Sequence, residues 1–247
     1  MIDLHTHLDL YPNALDILDR VNRENLFTLA VTTSPRAWVA TSKVFKRHNN
    51  IKVALGLHPE VADQKFNELE LLLSSIHKVD FVGEVGIDGS ARYSKTLSKQ
   101  ELIFESTIRE CEKAGGRIIS IHSRGAVSKI LSSIRTYKNC GTPILHWFSG
   151  SVEELTTAIR MKCYFSVNPV MISSEKGKEL ISRIPYNLVL PESDGPFAKL
   201  AGRPVMPWEA MNICSDLSRI WQMPIELVKN IIEQNFKKLL QEMQVIV

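Results

Sequence analysis

At 247 residues the chain has the length of an α/β barrel folded as one domain, and one core is expected. Lysine and arginine number 30 against 27 acidic residues, and a formal charge of +3 excludes a strongly basic molecule, so contact with a nucleic acid must come from a local patch. The 4 cysteines, Cys111, Cys140, Cys163 and Cys214, lie far apart with no Cys-x-x-Cys pair to bind zinc or cycle through a disulfide, which predicts buried free thiols in a reducing cytosol.

Met1-Ile2-Asp3 runs directly into an apolar segment, leaving no room for the basic and apolar regions of a signal peptide, and no apolar run approaches the length of a membrane span. A cytoplasmic protein without membrane contact is expected. Short runs rich in Val, Ile, Leu and Phe then recur along the chain and predict 8 strands: Ile2 to His5, Phe27 to Thr32, Lys52 to Leu57, Phe81 to Val85, Arg117 to Ile121, Pro143 to His146, Tyr164 to Val167 and Asn187 to Leu190. Segments with helical spacing lie between them, such as Phe66, Leu69, Leu72, Leu73 and Ile76, or Ile103, Ile108, Cys111 and Ala114. The polar stretch from Gly86 to Lys99 reads as a loop, and helices over Pro207 to Ile220 and Pro224 to Met243 end the chain. This alternation predicts an α/β fold of the TIM (β/α)8 barrel type, a single domain over residues 1–247.

Six potential metal ligands, His5, His7, Glu84, His122, His146 and Asp194, fall at or just past the ends of predicted strands. His5 and His7 share one side of an extended segment because side chains alternate with period two. In a barrel all these strand ends open into one mouth, where active sites are built. Four imidazoles and two carboxylates without a thiolate suit zinc, manganese, iron or magnesium. A single tetrahedral zinc needs three protein ligands, so this set fits two cations better than one, with Glu84 the natural bridge between them. Such a pair promotes hydrolysis of a phosphodiester. Asp194 is placed to orient the attacking water and take its proton, and the Arg124 guanidinium forms a rigid fork matched to two phosphate oxygens.

Asp3-Leu4-His5-Thr6-His7-Leu8-Asp9, Gly56-Leu57-His58-Pro59, Gly83-Glu84-Val85-Gly86-Ile87-Asp88, Ile121-His122-Ser123-Arg124, His146-Trp147-Phe148-Ser149-Gly150 and Glu192-Ser193-Asp194-Gly195-Pro196 resemble the serial motifs of the TatD family, in the family's order. Asn235-Phe236 resembles its closing helix motif. The family comprises metal-dependent deoxyribonucleases on a TIM barrel. The resemblance implies that His5, His7, Glu84 and Asp194 hold one divalent ion (Mg, Mn or Zn), and that Glu84, His122 and His146 hold a second. It implies that His58 and Arg124 face the phosphate of a DNA substrate, with single-stranded ends the form best able to enter a barrel mouth. The stretches from Gly116 to Arg124 and from His146 to Gly150 are most similar to the QatD branch, a component of a bacterial anti-phage system, which implies partner proteins of that Qat system.

Three departures from the family pattern leave the ligands intact and bear on substrate choice: Gly89 follows Asp88 where tyrosine is usual, Trp147 replaces a small residue, and Gly202-Arg203-Pro204 lacks the usual Asn-Glu. Rival functions are an amidohydrolase-like enzyme cutting a small-molecule ester or an aminoacyl ester on tRNA, and a metal-loaded structural subunit of a defence complex. Several residues carry two readings. Asp194 suits a turn as well as a metal, Glu192 a salt bridge as well as support of the site, and Arg124 a neighbouring carboxylate as well as phosphate. Phe148 suits barrel packing, while Trp147 is open between packing and stacking on an unpaired base.

Overall fold

The computed structural model describes residues 1–24 and 26–242. Eight parallel strands, β1 (Ile2–Thr6), β2 (Phe27–Val31), β3 (Ile51–Ala54), β4 (Phe81–Gly86), β5 (Arg117–His122), β6 (Gly141–His146), β7 (Tyr164–Val167) and β8 (Val189–Pro191), alternate with helices. Strands β1 to β3 pair in chain order, as do β4 to β8. Two seams join these groups. At one, the Leu55 N–H donates to Phe81 O at 3.1 Å and the Gly83 N–H to Leu55 O at 2.8 Å. At the other, the Asp194 N–H donates to His5 O at 2.9 Å and the His7 N–H to Gly195 O at 2.8 Å. The strands therefore close into the expected barrel, which leaves no open sheet edge.

Helices α1 (Ala14–Arg23), α2 (Pro35–Phe45), α3 (Leu69–Ser75), α4 (Leu97–Lys113), α5 (Val127–Thr136), α6 (Val152–Arg160), α7 (Pro169–Ser173) and α8 (Glu175–Arg183) fill the connections. Local chemistry sets several starts: Ser34 accepts from the Ala37 N–H ahead of Pro35, and Ser151 with Glu154 forms a reciprocal capping box on α6. After β8 come a small antiparallel hairpin, β9 (Lys199–Leu200) and β10 (Arg203–Pro204), then α9 (Ile213–Trp221) and α10 (Ile225–Glu242). Asn235 on α10 donates to Tyr186 O at 2.7 Å and Val189 O at 2.8 Å, and the Phe236 ring packs 4.5 Å from that of Phe27. The last helix thereby anchors the entry to β8 beside the start of β2.

Several boundaries and one count differ from expectation. Strand β3 leaves its ladder after Ala54 because Gly56 turns in beneath Thr32, whose hydroxyl accepts from the Gly56 N–H. Residues Tyr186–Leu188 form a 3-10 turn, so the eighth strand starts at Val189. The stretch read as a loop from Gly86 to Lys99 contains a 3-10 turn at Ala91–Thr96 and the first residues of α4, with Gln100 accepting from the Asp88 N–H at 2.7 Å. Met243, placed in the last helix from sequence, lies outside the described residues. The expected single core is divided: a large cluster fills the barrel and most of its helical coat, and a smaller one, including Leu8, Tyr11, Ile17 and Phe45, lies beneath α1 and α2. All four cysteines are buried and free. Among the described residues no helix is long and apolar enough to cross a membrane.

Candidate active site

Glu84 sits near the end of β4 with its carboxylate inside the barrel mouth, and five imidazoles surround it. His5 Nε2 lies 3.3 Å and His7 Nε2 3.0 Å from Oε2. On the other oxygen, His122 Nδ1 lies 2.9 Å, His58 Nε2 3.2 Å and His146 Nε2 3.5 Å from Oε1. Asp194 Oδ1 joins the Oε2 side, 3.7 Å from His5 Nε2 and 4.0 Å from His7 Nε2. The site thus brings together the six sequence-predicted ligands and His58, divided between two carboxylate oxygens. Arg124 stands exposed two residues beyond His122, at the rim.

Period-two alternation explains the convergence. Asp3, His5 and His7 share one face of β1, and Glu84, Gly86 and Asp88 one face of β4 and its extension. Two positions at the mouth hold backbone conformations that side chains rarely adopt, Trp147 at φ 40° and Asp194 at φ 47°. Strain of this kind persists where the surroundings over-determine it, commonly at functional sites.

Three of the five imidazoles have a side-chain partner on their other nitrogen that fixes their orientation, while His7 Nδ1 is buried with no hydrogen-bond partner among the described residues. His5 Nδ1 is 2.7 Å from Ser120 Oγ. His146 Nδ1 faces both oxygens of Glu192 at 3.2 Å, and Glu192 is itself held by the Ser166 hydroxyl and by Asn168 Nδ2 at 2.9 Å. Glu192 is therefore both a buried ion-pair partner of His146 and its support from behind. His122 Nε2 is 2.9 Å from Asp88 Oδ2. Asp3 accepts from the Ser193 N–H at 2.9 Å and its hydroxyl at 2.6 Å, tying the approach to Asp194 onto β1.

Asp3, Asp88 and Ser120 did not stand out in the sequence as supports. For Asp88 the signal was present, because it shares the alternation of Glu84; for Ser120, a small polar residue in an apolar strand, there was little to find. Phe148 is buried and packs edge-on to Phe165 at 5.5 Å, as expected of barrel packing. Trp147 is half-buried against the large core, with its ring 6.4 Å from that of His146.

The electrostatics separate the imidazoles. Burial, with the charge of His146, holds His5 down at about 4, so its ring is neutral. Burial also lowers His58. For His122 burial is outweighed by hydrogen bonds to Asp88 and Glu84, raising it to about 9, and for His146 it is outweighed by the charges of Glu192, Asp194 and Glu84, raising it to about 10. Burial pushes Glu84 upward, but the surrounding imidazoles prevail and hold it well below the usual carboxylate range. Asp194, where burial prevails, is pushed up to about 7.

The donor set fits divalent cations. His5 Nε2 is buried without a hydrogen-bond partner among the described residues while facing Glu84 and Asp194. With Nδ1 engaged by Ser120, Nε2 faces carboxylate oxygens with no hydrogen bond of its own, an arrangement that a cation between them satisfies. His146 with Glu192 repeats the carboxylate–histidine pattern common behind metal ligands.

Among the described residues, three groups of candidate ligand atoms lie within 4.8 Å of one another: His5, His7 and Glu84; His5, His146 and Glu192; and His58, Glu84 and His122. The third group overstates His58. Its Nδ1 accepts from the Glu60 N–H at 3.1 Å, so the neutral ring carries its proton on Nε2 and offers Glu84 a donor rather than a lone pair.

Known proteins share this architecture. A crystal structure of YJJV, a TatD homolog from Escherichia coli, superposes with a TM-score of 0.85 over 97% of both chains at 20% identity, which establishes the common fold. The human protein named deoxyribonuclease TATDN3 is 24% identical over 97% of this chain and 94% of its own length. The 3'-5' ssDNA/RNA exonuclease TatD of Edwardsiella piscicida is 26% identical over 74% of this chain and 75% of its own. The model of the TatD related DNase family matches residues 2–241, nearly the whole barrel with every candidate ligand named above, and the chain belongs to that family.

Proposed function

We propose that the protein is a metal-dependent deoxyribonuclease that hydrolyses phosphodiester bonds of DNA, with single strands as substrate, and that residues 1–247 act as one hydrolase domain. The observation that carries this reading is the division of imidazoles over Glu84, with His5 and His7 on Oε2 and His122 and His146 on Oε1. His5, His7, Glu84 and Asp194 would hold one divalent ion (Mg, Mn or Zn), and Glu84, His122 and His146 a second. When bound, such ions supply positive charge that polarises a phosphoryl oxygen, activates water and stabilises the leaving alkoxide.

The side chains do the rest. Asp194, whose carboxylate joins the Oε2 side of the site, orients the attacking water and accepts its proton. His58, neutral and with Nε2–H directed inward, donates to a phosphate oxygen without competing for a cation. Arg124, exposed at the rim, receives the phosphate through its planar fork. The relatives named as a deoxyribonuclease and as an ssDNA/RNA exonuclease support the substrate class.

The test is incubation of purified protein with end-labelled single- and double-stranded DNA and magnesium, manganese or zinc, beside Glu84→Gln and Asp194→Asn. Metal-dependent cleavage lost in both variants is expected. A well-folded, metal-loaded protein that cuts no DNA would overturn the reading in favour of a different ester substrate.

The stretches 116–124 and 146–150 favour a narrower assignment to the QatD branch, in which the enzyme works in the bacterial cytoplasm beside other Qat proteins against phage. Phage plating with the chain and its genetic neighbours, with and without Glu84→Gln, tests this. Protection that ignores the substitution would leave a structural subunit in place of a nuclease.

A further inference from the structure

Phe197 is an aromatic residue that packing does not explain. It is 59% exposed and belongs to neither hydrophobic cluster, yet it stands directly on the site. Its ring meets His7 edge-to-face, with centroids 4.9 Å apart and planes at 86°. From His7 a row of rings crosses the mouth: His5 at 5.4 Å, His146 stacked on His5 at 3.9 Å, and Trp147 at 6.4 Å from His146. The three histidines of this row are buried, Trp147 is half-buried, and Phe197 is the open end.

The backbone beneath Phe197 is fixed. Its N–H donates to Asp194 O at 3.0 Å, and the next N–H, of Ala198, donates to the same oxygen at 2.8 Å. Gly195 is wedged so closely that a Cβ there would meet Tyr11 Oη at 1.6 Å and Val205 O at 2.2 Å. Tyr11 Oη in turn donates to Val205 O at 2.6 Å. The turn bearing Asp194 thus also presents an apolar, rigidly based ring to solvent, one imidazole away from Glu84.

From this placement, and resting on the nuclease reading above, we infer that Phe197 is a binding shelf for an unpaired nucleobase. With a phosphate at Glu84 and His58, an adjoining base is brought to the rim, where the exposed face of Phe197 is available for stacking. Every base has a π-face, so the contact tolerates any sequence, but it requires a base free of its partner strand. A base pair inside a duplex keeps both faces within its own stack and cannot use the shelf. Phe197 thereby favours single-stranded substrate without reading base edges.

The experiment is a cycle between protein and substrate. Wild type and Phe197→Ala are given short end-labelled single strands in which one abasic residue replaces each nucleotide in turn, with cleavage positions read on gels. Phe197→Trp, which restores a π-face, and thermal melting of both variants accompany them. On the intact strand Phe197→Ala is expected to cut about 5- to 150-fold more slowly, the scale of one lost base stack, with the melting temperature retained. An abasic residue beside the cleaved bond is expected to slow the wild type by a similar factor, the two losses not adding, and Phe197→Trp to restore the rate. Equal cutting of the intact strand by wild type and Phe197→Ala would overturn the shelf and leave the nuclease standing. Additive losses would also overturn it, because the ring and the base would then act separately. A metal-loaded wild type that cuts no strand would overturn shelf and nuclease together.

Discussion

His58 Nδ1 accepts the backbone N–H of Glu60 at 3.1 Å, and this single contact decides what the ring can do for the site. It fixes the neutral tautomer with Nε2–H directed at Glu84 Oε1, 3.2 Å away. Five imidazoles surround one carboxylate, but they are not five equivalent ligands.

His58→Ala should therefore leave cation affinity nearly unchanged while lowering turnover by about 10- to 100-fold, the scale of a lost hydrogen bond to a charged oxygen. Calorimetric titration with manganese beside DNA cleavage kinetics separates the two effects. A variant that no longer binds the cation would return His58 to the ligand set.

Cation binding should release protons. His122 and His146, raised to about 9 and about 10, are charged at neutral pH without metal, and Asp194 at about 7 is partly protonated. Ligation needs the unprotonated forms, so affinity should rise with pH up to about 10, with release of about two to three protons at neutral pH. The metal-free fold should respond in the opposite sense. The contributions of His122 and His146 are complete below the unfolded pKa of about 6.5 and disappear as pH rises through their folded values. His5, lowered to about 4, instead contributes above about 6.5, and that part is lost as pH falls towards 4. Calorimetry in buffers of different ionisation enthalpy, with melting of chelated protein across pH, checks both; affinity that falls with rising pH would contradict the assigned charges.

Gly56 lies against the backbone of Glu84. A Cβ there would meet Thr32 O at 2.1 Å and Glu84 N at 2.5 Å, both backbone atoms with no flexible end to yield. Gly56→Ala is expected to cost about 1–3 kcal/mol of stability by overpacking, and to weaken cation binding because β4 must shift at Glu84. Denaturant unfolding and metal titration of the variant measure this, and a fold and affinity equal to wild type would show that β4 has room to move.

Asp88 holds His122 from behind at 2.9 Å. Asp88→Asn removes the carboxylate's charge while preserving its size, and should lower cation affinity by about 10- to 100-fold. The His122 ring pKa should fall from about 9, because the Asp88 hydrogen bond is the largest of the effects that raise it. NMR titration of the imidazole in metal-free protein reads this independently of activity; an unmoved pKa would show that Glu84 alone sets it.

Much of the site was legible because its ligands obey short-range rules. His5 and His7 announce a shared face by alternation, and Glu84, His122 and His146 each stand near the end of an apolar run that a parallel strand requires. Asp194 was harder, since Asp-Gly-Pro is equally good turn chemistry; the structure shows a turn there, with Asp194 itself in the left-handed region and its side chain at the site. Phe197 was passed over, because one aromatic after a proline carries no periodic signal. Its exposure beside His7 exists only once β8 and β1 are joined.

By itself the sequence determined the eight strands, the order of the candidate ligands and their oxygen–nitrogen donor character, because alternation and residue type are local properties of the chain. Only the tertiary structure decided which oxygen of Glu84 each imidazole faces, which nitrogen of His58 holds the proton, and that Asp88 and Glu192 support His122 and His146. The His58 proton is set by a contact two residues away, but the other choices depend on contacts between residues 26 or more positions apart, set by how the closed barrel brings separate strand ends into one mouth, and no local pattern encodes them.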